Sequence, residues 1–294
     1  MVGPNKPINT NEFFVICINS LGSCFGSTSP ISINPETDEP YRLSFPVLSV
    51  EDIANAANEL LKVLDISVLH AVIGPSMGGM SALSFCQLHP GKTKRLISIS
   101  SAARSSPFSI ALRSLQREII RNDPSWENGA YDLDGNGPIS GMRLARKLGM
   151  ITYRSAKEWS ARFGRERAME KDLKSGAFGV DFEIESYLES QANKFIGAFD
   201  PNCYLYLSRA MDLFDASDPD GNLENSFKQL KLEQALIIGV ETDLLFPIIQ
   251  QAELAEALEK YVNKVRLVRL DSLQGHDSFL VDMDRFRPVI SSFI

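Results

Sequence analysis

The sequence predicts an α/β fold: a mostly parallel sheet covered by helices on both faces, with an all-helical segment set into it. Three observations carry this. Short apolar, β-branched runs alternate with stretches of helical spacing towards both ends of the 294-residue chain. One run passes through a glycine-rich turn, Gly74-Pro75-Ser76-Met77-Gly78-Gly79, directly into a helical pattern. From about residue 106 to 229 the alternation stops, and the text reads as helices broken by Asp-Pro and Gly-Pro. Residues 1–105 and 230–294 are assigned to the α/β core, and 106–229 to a helical cap inserted in it.

The elements follow in order. Glu12–Asn19 is a continuous apolar run and reads as a buried strand. It ends in a glycine- and serine-rich loop, Leu21–Thr28, and residues 29–47 form a long surface connection rich in Pro, Asn and Ser. Ser49 with Asp52 three residues later is a capping box, opening a helix to about Leu64. Leu69–Ile73 is the strand before the turn, and Met80–His89 the helix after it, stopped by Pro90. Arg95–Ser100 is the next strand. Beyond the cap, Ala235–Val240 and Val265–Leu270 are strands separated by a helix, Pro247–Tyr261. The loop Gln274-Gly275-His276-Asp277 leads to a closing helix from about Asp284.

Composition narrows the classes. A hydrophobic content of 44% supports one large core, or a core plus a smaller insertion. A net charge of −7 without a basic stripe argues against nucleic-acid and membrane-surface partners. Cys17, Cys24, Cys86 and Cys203 lack C-x-x-C spacing, so neither a metal site nor a disulfide framework is expected. No apolar run reaches the roughly 18 residues that cross a bilayer, and Met1–Lys6 is not a signal peptide. The expectation is a soluble, cytoplasmic protein with no permanently bound cofactor.

The turn at Ser76 supplies the chemistry. A G-x-S-x-G sequence between a strand and a helix is a nucleophile elbow, which lifts a serine hydroxyl above the end of a parallel sheet. With the strand order, this is the pattern of the α/β-hydrolase fold. A serine hydroxyl needs a base. Of the three histidines, His70 lies at the wrong end of its strand, and His89 closes a helix, where the helix dipole explains it. His276 follows the last strand and is the candidate base. Asp243, in the turn after the preceding strand, is the candidate acid, with Glu241 as the alternative. The backbone N–H of Met77 is one candidate oxyanion donor.

Further pieces point to one family. They are Asn19–Cys24 with Gly26-Ser27-Thr28, Gly74–Met80, Ile151–Ser155, Arg162–Arg165 and Gly275–Leu280. On them the chain resembles the homoserine/serine O-acyltransferases of the α/β-hydrolase fold. The resemblance implies ping-pong transfer of an acyl group from acyl-CoA to an amino-acid hydroxyl, with Ser76, Asp243 and His276 as the triad. It implies that Arg146 binds the carboxylate and Asp277 the ammonium of the acceptor, and that the protein serves cysteine or methionine biosynthesis.

The stretch Phe108–Arg117 resembles the succinyl-using branch more than the acetyl-using one: the Arg113 guanidinium would pair with the far carboxylate of a succinyl group, where acetyl offers it nothing, the alternative being a salt bridge within the chain. The stretches Met1–Pro4, Asp200–Ser208 and Pro107–Ile110 resemble the members that act on L-serine. The expectation is therefore succinyl-CoA as donor and L-serine as acceptor. Acetyl-CoA, L-homoserine, hydrolysis by the same triad and a non-catalytic remnant are the alternatives. The family pairs through its cap, and Tyr204–Leu207 with Met211 offer apolar material for a homodimer or for the chain's own core. Family members begin upstream of Met1, so the first strands and the loop of the second oxyanion donor are expected to be missing. The Phe13–Asn19 strand would then lose its neighbours, and the chain as written would be weakly active.

Overall fold

A computed structural model describes residues 1–135, 137–169 and 178–294. Residue 136 and residues 170–177, both within the expected cap, lie outside that description. The central sheet has four parallel strands in sequential order: β1 (Val72–Pro75), β2 (Arg95–Ile99), β3 (Gln234–Val240) and β4 (Lys264–Leu270). Parallel neighbours need crossovers, and helices supply them. These are α2 (Met77–Leu88) between β1 and β2, and α9 (Ile248–Glu259) between β3 and β4. Ahead of the sheet, α1 (Val50–Val63) starts on the expected capping box. Ser49 Oγ accepts from the Asp52 N–H at 3.1 Å, and the Asp52 carboxylate accepts from the Ser49 N–H at 2.9 Å.

Side chains of a strand alternate between faces, and both faces of this sheet are covered. Ala235 and Ile237 join Met80, Leu83, Leu254 and Leu258 of α2 and α9. Leu236, Ile238 and Val240 turn the other way, onto Phe286 and Ile290 of the closing helix α10 (Met283–Ser291).

Between β2 and β3 the chain is helical: α3 (Pro107–Arg121), α4 (Ile139–Tyr153), α5 (Ala156–Phe163), α6 (Glu183–Phe195), α7 (Pro201–Leu213) and the short α8 (Leu223–Ser226). Ile120, Trp126, Met142 and Leu205 form a small core of their own there. Leu205 and Leu207 are buried, Met211 packs on the main core, and Tyr206 donates to the Phe45 carbonyl at 2.8 Å. The apolar stretch considered for a homodimer is thus used within the chain.

Two expectations are corrected. The run Phe13–Asn19 is not a strand. Among the described residues no strand pairs with the outer edge of β1, and a lone extended run has no ladder to hold it. Phe14 is 80% exposed, while Phe13 packs on the His70 ring at 4.7 Å and Ile16 against Phe85. The strand placed at Leu69–Ile73 lies instead at Val72–Pro75, and Leu69 forms only an isolated bridge to Thr93.

Replacing Ser49 by Ala removes the hydroxyl half of the α1 cap, the acceptor for the Asp52 N–H, and leaves the Ser49 backbone N–H half in place. The expected cost is about 1 kcal/mol, read as a lower urea midpoint at unchanged slope.

Candidate active site

Strand β1 runs into α2 through a single residue, Ser76, held at φ 52° and ψ −123°. A non-glycine residue there is strained by about 1–3 kcal/mol. Close packing holds it. Ser76 N–H donates to the Ile99 carbonyl at 2.9 Å. A Cβ on Gly74 would fall 2.0 Å from the Gly78 carbonyl oxygen, and one on Gly79 would fall 2.5 Å from the Ser101 Cβ. Gly78, the last glycine of the G-x-S-x-G signature, has ordinary room, with Pro75 Cδ at 3.4 Å. Met77 opens α2, so its N–H belongs to the first turn and has no intrahelical acceptor.

A hydrogen-bonded relay starts at this serine. His276 Nε2 lies 2.9 Å from Ser76 Oγ, and His276 Nδ1 lies 2.8 Å from Asp243 Oδ2. With Asp243 ionised, Nδ1–H donates to the carboxylate and Nε2 accepts from the serine hydroxyl. Asp243 is fixed from behind, because its Oδ1 accepts from the N–H groups of Leu245 at 2.9 Å and Phe246 at 3.0 Å. The imidazole is stacked on Phe246 at 5.2 Å and meets the edge of Phe279 at 5.5 Å. Thr242 ties the two loops together: its hydroxyl donates to the Ser272 carbonyl and accepts from the Gly275 N–H. Both His276 and Asp243 are buried.

The alternatives fall elsewhere. Glu241 is exposed and binds β4 only through its backbone. His70 contacts Arg95 and the Ile294 carbonyl. His89 does cap α2, bonded to Asn55 Oδ1 at 3.0 Å. Partial burial and then Lys62 hold its pKa below the ordinary value.

Ser76 and His276 open onto a cavity of about 280 Å³ also lined by Arg113, Gln116, Arg146, Tyr153 and Asp277. Arg146 comes from α4, its guanidinium 4.5 Å from the Phe195 ring centre and 5.7 Å from that of Tyr153. Its Nε is buried without a hydrogen bond, and among the described residues no ion pair engages it. Asp277 accepts from Arg154 Nε at 3.0 Å. Burial pushes its carboxyl above the ordinary value, and Arg154, His276 and Arg146 oppose that.

Arg113 is engaged by an ion pair within the chain, the alternative that the sequence left open for it. Its Nε donates to Asp212 Oδ1 at 2.6 Å and its Nη2 to Ser105 Oγ at 2.6 Å, while Arg117 Nη1 lies 2.6 Å from the other Asp212 oxygen. Two guanidinium groups on one carboxylate leave one net positive charge there.

Sequence reasoning assigned no role to Tyr153, Gln116 or Arg154. The signal for the first two is register: Tyr153 shares a face of α4 with Arg146, and Gln116 shares one of α3 with Arg113.

The profile of the α/β hydrolase fold matches residues 5–282, and the chain belongs to that family. Within it, the chain is 54% identical over 295 residues to the serine O-succinyltransferase of Litchfieldella anticariensis, covering 100% of this chain and 80% of that protein. Among solved structures, homoserine O-acetyltransferase from Bacillus anthracis superposes with a TM-score of 0.89 at 27% identity, over 99% of this chain and 79% of that one. Esterase E22 superposes with a TM-score of 0.87 at 30% identity, over 99% and 80%.

The glycine geometry separates two substitutions that the motif alone would equate. Gly74→Ala is expected to lower folding stability by about 2 kcal/mol or more through overpacking. Gly78→Ala is expected to be neutral or stabilising, since Ala exceeds Gly in helix propensity by about 1 kcal/mol. Urea unfolding followed by circular dichroism checks both.

Proposed function

We propose that the protein is a CoA-dependent O-acyltransferase that moves a succinyl group from succinyl-CoA to the hydroxyl of L-serine through an ester on Ser76. One observation carries the reading. The Ser76–His276–Asp243 relay opens onto a cavity that offers a cation with no ion pair among the described residues, Arg146, and a carboxylate, Asp277. That pair of charges suits an amino-acid zwitterion.

In the first half-reaction His276 Nε2 takes the Ser76 proton as Oγ attacks the thioester carbonyl carbon. The oxyanion forms beside the Met77 N–H. The carbon–sulfur bond then breaks, and the departing thiolate takes the proton from His276. In the second half-reaction the acceptor hydroxyl gives its proton to His276 and attacks the ester carbon. Ser76 leaves and recovers that proton. Asp243 holds the imidazole in the required tautomer and stabilises its cation throughout. Arg146 holds the acceptor carboxylate and Asp277 its ammonium, so that the hydroxyl, rather than water, meets the ester.

The donor assignment rests on the name of the relative from Litchfieldella anticariensis and on the single net charge shared by Arg113, Asp212 and Arg117. The product is an O-acylated serine, activated at its β-carbon, which fits a place in cysteine or methionine biosynthesis. Hydrolysis is the second reading, favoured by the likeness to an esterase at 30% identity. There, water would replace the amino acid in the second half-reaction.

A matrix of succinyl- or acetyl-CoA against L-serine, L-homoserine or no acceptor tests the proposal. CoA release from succinyl-CoA should depend on L-serine and yield its succinyl ester. Fast release unaffected by either amino acid would establish the hydrolase instead. Arg113→Ala should reduce the preference for succinyl- over acetyl-CoA by about tenfold, the loss of one charge-assisted contact. Ser76→Ala should lower turnover by a factor of about 10³ or more.

A further inference from the structure

The turn between α4 and α5 grips the loop that carries His276. Ser155, which caps α5, donates its hydroxyl to the Leu273 carbonyl. Gly275 lies flat against the same turn at φ 62°. A Cβ on it would fall 2.9 Å from both the Arg154 carbonyl carbon and the Ser155 nitrogen. Between these contacts Arg154 reaches across the junction. Its Nε donates to Asp277 Oδ2 at 3.0 Å, and its Nη1 donates to Glu158 Oε1 at 2.8 Å. The Arg154 side chain is 16% exposed and that of Glu158 12%, so this is a largely buried fork held at two edges.

We infer that Arg154 is the positioning residue of the acceptor's ammonium site: it holds one oxygen of Asp277 and leaves the other directed at the amino acid. This rests on the acyl-transfer reading above. A carboxylate presents two oxygens, and a planar guanidinium anchored at both edges fixes which one is taken. Among the described residues Asp277 Oδ1 has no hydrogen-bond partner. Every neighbouring element contributes to its charge balance. Arg154 and Arg146 come from α4 and its end, the Tyr153 phenol from α4, Glu158 from α5 behind Arg154, and His276 from the same loop. Burial disfavours the carboxylate, and Arg154 opposes burial more than any other group does. Without Arg154, Asp277 takes up a proton at higher pH and loses its attraction for an ammonium.

The test separates the two half-reactions in the full chain. CoA release from succinyl-CoA reports acylation, and kcat/KM for L-serine reports transfer. In Arg154→Met the ratio of serine transfer to CoA release should fall by about tenfold, as for a lost charge-assisted hydrogen bond. The acid limb of the serine profile should move to higher pH relative to the limb for acylation. Arg154→Lys should keep that limb in place while retaining a raised KM for serine, because one ammonium cannot hold Asp277 and Glu158 together. Equal loss in both half-reactions with an unmoved limb would reduce Arg154 to a structural role and overturn the inference. Should Arg154→Met fail to fold, Glu158→Gln loosens the fork without touching Asp277. It must then show a smaller loss weighted towards serine, and an unchanged serine profile would equally overturn the inference. Wild-type protein that forms no ester on Ser76 from any donor removes both readings. Normal acylation with an unmoved Arg154→Met limb removes this one alone.

Discussion

A serine residue does not adopt φ 52° and ψ −123° of its own accord. Ser76 is held there because β1 and α2 approach so closely that Gly74 and Gly79 leave no space for a methyl group. That approach puts the hydroxyl above the carboxyl edge of the sheet and leaves the Met77 N–H at the open end of a helix. Were the turn to relax into ordinary backbone, the hydroxyl would leave His276 and the relay would have no first member. The rest of the site is arranged around this enforced position.

Parallel strands bring the remaining groups to the same edge. β3 and β4 run in register for seven residue pairs, so the turn carrying Asp243 and the loop carrying His276 emerge side by side. Thr242 then bonds one to the other. The helical segment contributes from above. It places Arg146 and Tyr153 on one helix face and Arg113 on another, and its α4–α5 turn rests on the histidine loop. The two parts thus contribute different groups: the turns of the sheet carry the Ser76–His276–Asp243 relay, and the helices carry the cations.

The parts of the site legible in the sequence were those encoded locally. Strand, glycine turn and helix are contiguous around Ser76, and Asp243 and His276 each follow a clear strand. The capping box at Ser49 and Asp52 is also local, and it formed as read. What depended on distant partners was not legible. The pairing of Arg113 with Asp212 joins residues 99 apart in the chain, and no spacing rule reports it. Arg146 stood out only through family resemblance, since an arginine on a helix is usually solvated. The run Phe13–Asn19 has the composition of a strand, yet a strand is a relation between two segments, and composition describes one. Arg154 and Gly275 act through a junction between elements that lie 121 positions apart, which is invisible until the fold brings them together.

Arg146 also carries a consequence for stability. Its guanidinium lies against Phe195 and Tyr153, which offset part of its loss of water, while among the described residues its Nε is withdrawn and unbonded. A neutral side chain of similar length there would spare the fold that remaining cost, so the interior gives up some stability to keep a cation on the wall of the cavity.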